Sequence, residues 1–294
     1  MDFGDVRLAC CMSTFDPGGE LADCLKSLAA STAKPFLIVV DDGSARPVEI
    51  DFAAYGMTGA LIRLEHNAGV GAALNVAVRE ALRRGFRWIA RMDSDDVVQP
   101  NRFATQLQAL QATPAALGVF SAAIAMTEDG EPIGVIHVPP GQRELRRAMA
   151  RNSALIHPTA MFRREFFERY GLYTTERTYA EDYELFLRPA YEGAFMLCDE
   201  PLIYYRVGDN SVSSRNYRTA IRHRAICQAK HLRLTKIDGL GGFVRTGALW
   251  IAASCLPAKL VSALRERIGM GWIERGTAAL EPPPPAVTAS QQAS

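Results

Sequence analysis

Four short apolar runs, Val6 to Met12, Phe36 to Val40, Leu61 to Leu64 and Phe86 to Met92, recur along the first hundred residues with helical patterns between them. Polar residues scarcely interrupt the first run, which is the pattern of a strand buried on both faces. After it, Leu21, Cys24, Leu25 and Leu28 recur at three- and four-residue spacing, and a further helix is expected from about Ala72 to Arg84. A chain that alternates strand and helix in this way folds as an α/β unit, a mostly parallel central sheet with helices on both faces. Ligands of such sheets bind at the carboxyl ends of the strands. The polar residues that follow each run are therefore the candidates for chemistry.

The fourth run empties into carboxylates at Arg91-Met92-Asp93-Ser94-Asp95-Asp96. Asp93 and Asp95 stand two apart, so in extended backbone both point the same way and can face one ligand. Two close carboxylates repel unless a cation lies beside them, and oxygen ligands suit a hard divalent metal. Mg²⁺ takes few protein ligands and leaves its other positions to water and phosphate oxygens, so the pattern points to a phosphorylated substrate. The competing reading is a solvated acidic turn before the helix that Pro100 opens, with Asp96 or Asn101 near its cap.

A second acidic pair, Asp41-Asp42, follows the second run and lands on the same rim. A carboxylate there can accept the N–H of a pyrimidine base or a ribose hydroxyl, while Gly43 permits a tight turn; a purely structural acidic β-turn competes. Asn67-Ala68-Gly69-Val70-Gly71 precedes a helix and can bring backbone N–H groups to a phosphate. It has neither the dinucleotide spacing nor a Lys-Ser/Thr pair, and helix capping by Asn67 is the alternative.

Beyond a helix from Pro100 to Ala112, the runs Leu117 to Met126 and Ile133 to Val138 flank a turn at Glu128-Asp129-Gly130-Glu131, which reads as a hairpin. A helix from Gln142 to Ala150, a strand from His157 to Phe162, a short helix from Arg164, a helix from Glu181 to Tyr191 and short strands Phe195 to Cys198 and Leu202 to Arg206 are expected next. Glu181 and Asp182 fall in an exposed first helical turn, where a carboxylate stays ionised and can act as a general base, although dipole preference alone also places acids there. Arg206, beside Tyr204, Tyr205 and the serines Ser211, Ser213 and Ser214, either neutralises a departing diphosphate or is a structural arginine. His157, before Pro158, either touches an acceptor or is a structural histidine; with no Cys or second His beside it, it is not a metal ligand.

A net charge of +1 gives no argument for a nucleic-acid partner. Six cysteines without Cys-x-x-Cys spacing argue against zinc and read as buried apolar residues of a reducing compartment. Met1 to Arg7 lacks the pattern of a signal peptide, so a cytoplasmic location is expected. From Asn216 the pattern is helical and basic. Gly247 to Leu256 is too short to span a bilayer, but residues 240–272, with Arg245, Lys259, Arg265 and Arg267 around an apolar face, suit either a helix lying on the inner face of the cytoplasmic membrane or one packed on the domain. The division is then 1–215 for catalysis (1–100 nucleotide-binding, 101–215 acceptor half), 216–275 for a helical C-terminal extension, and a disordered Pro-rich tail over 276–294.

Taken in order, Asp41-Asp42-Gly43-Ser44, Asn67-x-Gly69 with Leu74-Asn75, Ile89 through Asp96, His157-Pro158-Thr159-Ala160-Met161-Phe162, Glu181-Asp182-Tyr183, and Tyr205-Arg206 with Ser211-x-Ser213 resemble the family 2 inverting glycosyltransferases. Over residues 6 to 215 the chain is most similar to the bacterial exopolysaccharide and capsule transferases. The resemblance implies a Rossmann-like A-type glycosyltransferase fold and a nucleoside-diphosphate sugar donor, usually UDP-linked. It implies a glycan or polyprenyl-linked saccharide acceptor, and Mg²⁺ or Mn²⁺ on Asp93 and Asp95. It makes Asp182 the base; the candidates for the donor are Ser13, Phe15, Asp41, Asp42, Asn67, Gly69, Arg91, Asp93 and Arg206, and those for the acceptor His157 and Glu181. Ser13-Thr14-Phe15-Asp16 stand where the family commonly has a proline and a Tyr-Asn pair, and Leu74 where many members have Arg. Asp93-x-Asp95-x-Val97 also looks like the nucleophile loop of haloacid-dehalogenase-type phosphatases, but that loop follows the first core strand, and here three strands precede it. An inactive glycan-binding protein of the same fold is the third reading, against which stand both Asp95 and Asp182.

Overall fold

The structure, a computed structural model, describes residues 7–151, 153–176, 179–189, 192–208 and 216–235, with 244, 246–248, 251, 273, 274 and 283. Strand β1 (Leu8–Thr14), buried almost throughout as its apolar run requires, lies between β2 (Phe36–Asp41) and β4 (Trp88–Asp93) and is parallel to both, with β3 (Gly59–Arg63) outside β2. Side chains alternate along a strand, so Cys10 and Cys11 enter opposite cores. Cys10 packs with Leu21, Cys24, Leu25 and Leu28 of helix α1 (Glu20–Ala29), while Cys11 packs with Ala73, Leu74 and Ala77 of α2 (Val70–Arg83). This half is the parallel sheet with helices on both faces that the alternation predicts.

Past β4 the sheet becomes mixed. After the two-residue strand β5 (Val97–Val98), α3 (Arg102–Ala112) leads to the hairpin of β6 (Gly118–Met126) and β7 (Pro132–Ile136), then to α4 (Gln142–Arg151). Strand β8 (Met161–Arg163) sits antiparallel between β4 and β6. The strand expected from His157 is thereby corrected: His157–Thr159 forms a 3₁₀ turn and the strand starts only at Met161, because Pro158 has no N–H to give a ladder. After α5 (Arg164–Tyr170) comes α6 (Glu181–Leu187), shorter than expected, with Pro189 just beyond its end. The two short strands expected after it are one irregular strand, β9 (Phe195–Arg206), parallel to β6 and paired at its end with β5. The basic helix α7 (Tyr217–Thr235) packs on α6, and β10 (Ile273–Glu274) pairs with β7.

Phe120 on β6 anchors the second half, with the rings of Phe186, Phe195 and Phe162 edge-on to it at 4.9, 5.0 and 5.8 Å. Phe186 belongs to α6, so this aromatic group fixes the helix that begins with Glu181 and Asp182. Ser211 to Ser214, the tail apart from residue 283 and all but five residues of the 240–272 segment lie outside the described residues. Among the described residues no helix is long and apolar enough to cross a membrane.

Candidate active site

Register aligns the strand tips: Ser13 stands opposite Asp93, and Thr14 opposite Asp41. Phe15, just past the tip of β1, is half exposed.

The acidic pair on β2 is turned inward. Asp41 is 1% exposed and accepts from Ser44 N (2.9 Å), Val48 N (3.2 Å) and Arg63 Nη1 (2.6 Å). Burial raises its pKa, but the Ser44 and Val48 donors and the Arg63 charge together outweigh that and hold the carboxyl below its usual range. Asp42 accepts from Ala68 N (2.8 Å) and Gly69 N (2.9 Å), tying the β2 turn to the loop before α2. That loop is capped by Gly69 at φ +89°, not by Asn67, which is exposed. The structural turn therefore accounts for these contacts of both carboxylates. Gly43, at φ +74°, lies so close that an added Cβ would stand 2.5 Å from the His66 carbonyl carbon. Gly43→Ala is expected to lower unfolding free energy by about 1–3 kcal/mol, read by chemical denaturation, since both dihedral and contact oppose it.

The second acidic group is different. Ligand oxygens of Asp93, Asp95 and Asp96 all lie within 4.8 Å of one another. Burial, then the charge of Asp93, pushes Asp95 up to about 6. Burial, then Asp93 and Asp95, raises Asp96 far above the usual range. Asp96 Oδ1 accepts from the Arg206 N–H (2.8 Å), while the buried Oδ2 has no hydrogen-bond partner among the described residues. Crowded carboxylates, with Asp95 and Asp96 raised by burial and by their neighbours and a buried oxygen unused, fit a hard dication. The sequence reading left Asp96 as a possible helix cap; the helix instead starts at Arg102, with Asn101 before it, and Asp96 joins the cluster.

Arg91 is the hub. It is 5% exposed and ion-paired with Asp93, and its Nε and Nη1 have no partner among the described residues. Its charge also bears on Asp95, Asp96, Glu181 and Asp182, so acids some ninety positions apart in sequence converge on it. Beneath it, the fully buried Arg102 donates to the Arg91 carbonyl (2.8 Å) and to Gln106 Oε1 (3.2 Å), and Gln106 donates to the Thr159 carbonyl (2.6 Å). Nothing in the sequence marks Arg102 as buried, because the first turn of a helix after a proline reads as surface.

The exposed first turn expected for α6 is corrected. Glu181 is 7% exposed and Asp182 half-buried, because Phe186 and Tyr183 draw the helix down onto the sheet. Burial, then Asp182, raises Glu181 to about 7, and Glu181 Oε2 has no hydrogen-bond partner among the described residues. Burial also raises Asp182, against the opposing pull of the Tyr183 N–H (2.6 Å), Arg224 and Arg91. A base raised in this way is stronger at neutral pH than a dipole-stabilised one. Gly71 is a glycine where α6 meets α2: a Cβ there would lie 3.3 Å from Cβ and Cγ of Glu181.

Two further candidates have partners within the protein. His157 is buried, its Nε2 lies 2.8 Å from Tyr173 Oη, and burial pushes its pKa well below the usual range. Tyr173 is held through its backbone by Asn75. The histidine thus has a protein partner inside an aromatic cluster. Arg206 donates to the carbonyls of Asp95 (2.9 Å), Thr127 (3.3 Å) and Glu128, and so ties the acidic loop to the turn after β6.

With this geometry established, comparison with known proteins is direct. An uncharacterized glycosyltransferase of Haemophilus influenzae is 29% identical over 261 residues, 83% of this chain and 91% of the relative. The amylovoran biosynthesis glycosyltransferase AmsE of Erwinia amylovora is 26% identical over 260 residues, 84% of this chain and 93% of the relative. The solved mannosyltransferase PcManGT of Pyrobaculum calidifontis, in complex with GDP-Man and Mn²⁺, matches with a TM-score of 0.58 at 18% identity, over 89% of this chain and 79% of that one. The fold is the Rossmann-like A-type glycosyltransferase fold. Residues 10–171, more than half of the length, match Glycosyl transferase family 2, and the chain belongs to that family.

Proposed function

We propose that this glycosyltransferase is metal-dependent and inverting. In this reading it moves a sugar from a nucleoside diphosphate, with UDP-sugars the first to test, onto a hydroxyl of a glycan or polyprenyl-linked saccharide in cell-surface polysaccharide biosynthesis. The observation that carries the reading is the position of Arg91, paired with Asp93 on one side and bearing on Asp182 on the other. Asp182 takes the acceptor proton; the hydroxyl attacks the anomeric carbon opposite the diphosphate, and configuration inverts without a protein nucleophile. Arg91, with two buried donor nitrogens that have no partner among the described residues, binds the donor's anionic part. Mg²⁺ or Mn²⁺, held by Asp93 and Asp95 with Asp96 in reach, would supply charge stabilisation for the leaving diphosphate. Ser13 and Phe15 flank the base side, with Asn67 and Gly69 on the loop that Asp42 anchors. Glu181 meets the acceptor, and Arg206 positions the acidic loop.

Similarity to AmsE supports the polysaccharide setting. A cytoplasmic location with peripheral membrane contact through residues 240–272 belongs to the same proposal. Val244 and Ile251 in this segment are each 60% exposed. The family match leaves the phosphatase reading without support.

The test is incubation with a panel of nucleotide sugars, acceptors and Mg²⁺ or Mn²⁺. Nucleoside diphosphate release that needs the metal, with an inverted anomeric product, is the expected result. Release of phosphate from a phosphomonoester, without sugar transfer, would overturn it.

A further inference from the structure

Strand β4 loses its antiparallel neighbour just before Arg91, since its pairing with β8 covers only Trp88, Ile89 and Ala90. The Arg91 N–H still reaches the Ala160 carbonyl (2.9 Å). The Ala160 N–H, however, closes the 3₁₀ turn on the His157 carbonyl (3.1 Å), so the ladder has no donor to return to the Arg91 carbonyl. A side chain takes its place. Arg102 Nη2, from the first turn of α3, lies 2.8 Å from the Arg91 carbonyl and 3.4 Å from that of Ala160, and Nη1 lies 3.0 Å from Met92 Sδ. Its Nε donates to Gln106 Oε1 one helical turn on (3.2 Å), and Gln106 donates to the Thr159 carbonyl (2.6 Å). Thr159 Oγ1 accepts from Ser121 N on β6 (3.2 Å), which closes the network, and all four of these residues are fully buried.

A neutral side chain could satisfy one carbonyl. A buried guanidinium whose acceptors are all uncharged is opposed by desolvation, so backbone satisfaction alone does not explain a cation here. What the guanidinium adds is a rigid planar fork that fixes two carbonyls and a thioether at once, where the parallel half of the sheet meets the mixed half. Ala90 and Met92 pack on the α3 side of the sheet and Ile89 on the α2 side, so alternation sends the Arg91 side chain to the α2 side, opposite Arg102. Arg102 therefore grips the Arg91 backbone from behind. In front, the Arg91 guanidinium pairs with Asp93 and keeps Nε and Nη1 without a partner among the described residues.

We propose that Arg102, completed by Gln106, is a positioning residue for donor binding, holding the tip of β4 so that Arg91 Nε and Nη1 meet the anionic part of the donor. The inference rests on Arg91 binding that part of the donor.

The experiment titrates UDP or GDP, whichever the wild type binds, in Mn²⁺ by calorimetry, and measures kcat with KM for donor and for acceptor. The full-length proteins are the wild type, Arg102→Met, Arg102→Lys, Gln106→Met, Arg91→Met, the Arg91→Met/Arg102→Met double variant and Leu110→Ala, each with a melting curve. Arg102→Met is expected to weaken nucleotide binding and raise the donor KM by about tenfold, within the range of coupling inside one hydrogen-bond network, with the acceptor KM unchanged. Gln106→Met is expected to do the same in smaller measure, and Arg102→Lys to restore part of the affinity. With Arg91 already replaced, loss of Arg102 is expected to bring no further loss. Leu110→Ala, in the core on the same helix but outside the network, is expected to melt earlier and to bind normally. A wild-type Kd in folded Arg102→Met, the same loss from Arg102→Met with or without Arg91, or an equal loss in Leu110→Ala overturns the role of Arg102. If Arg102→Met does not fold, Gln106→Met takes its place in each comparison. Wild-type nucleotide affinity in Arg91→Met instead overturns the assignment of Arg91 to the donor, and the two failures are separable because they occur in different variants.

Discussion

Asp182→Asn is expected to lower kcat by ~10²–10⁴-fold, the range that a positioned general base contributes, and to leave nucleotide affinity nearly unchanged. The amide keeps the volume of the carboxylate, so the packing of Tyr183 and Phe186 beneath it is undisturbed. The Asp93, Asp95 and Asp96 cluster lies on a different element and is untouched. Turnover assays with donor and acceptor give the first quantity, and calorimetric titration with UDP and Mn²⁺ the second. Unchanged turnover would move the base elsewhere; a large loss of nucleotide affinity would mean that Asp182 serves the donor.

Asp95→Asn is expected to have opposite effects on stability with and without metal. The folded-state pKa of Asp95, about 6, lies above the usual 3.8, because burial and then Asp93 disfavour its charge. A raised acid leaves the folded state relatively stronger below about pH 4, and that advantage is lost as pH rises through about 6. At neutral pH, removing the charge should therefore stabilise the metal-free protein by on the order of 1 kcal/mol, and the gain should vanish near about pH 3.5. In saturating Mn²⁺ the order reverses, since only the wild type gains the full linkage term from binding. Metal-dependent turnover should fall by about 10²-fold or more, as one charge-stabilising contact to the diphosphate is lost. Melting curves with and without Mn²⁺ at two pH values test the thermodynamic part. A metal-free variant less stable than wild type at neutral pH would contradict it.

Much of this centre was legible before folding was considered. Asp93 and Asp95 are readable because an apolar run ends on them, and run, strand and rim follow from period and alternation. Asp182 is readable as part of a two-acid helix start. Asp41 and Asp42 show the limit: a carboxylate beside a glycine looks the same whether it meets a ligand or its own backbone, and here the donors are Ser44, Val48, Ala68 and Gly69. The partners of His157 and Arg206, Tyr173 and three carbonyls, were hidden for the same reason, since sequence does not bring them near. Burial of Asp96, Glu181 and Arg102 depends on elements that arrive from many positions away. The mixed half of the sheet was hidden because β8 is three residues long and β9 pairs with β6 across some eighty residues.

The clasp between Arg206 and the Asp95-Asp96 loop spans 110 positions. During synthesis from the amino end, the four parallel strands can assemble while that loop still lacks its partner. Its Asp96 carboxylate gains the Arg206 N–H only after β9 has emerged and threaded beside β5, a long-range closure that is entropically slow. A nascent chain of this protein would thus hold its sheet before it holds its chemistry, and competence for transfer would be among the last properties that folding confers.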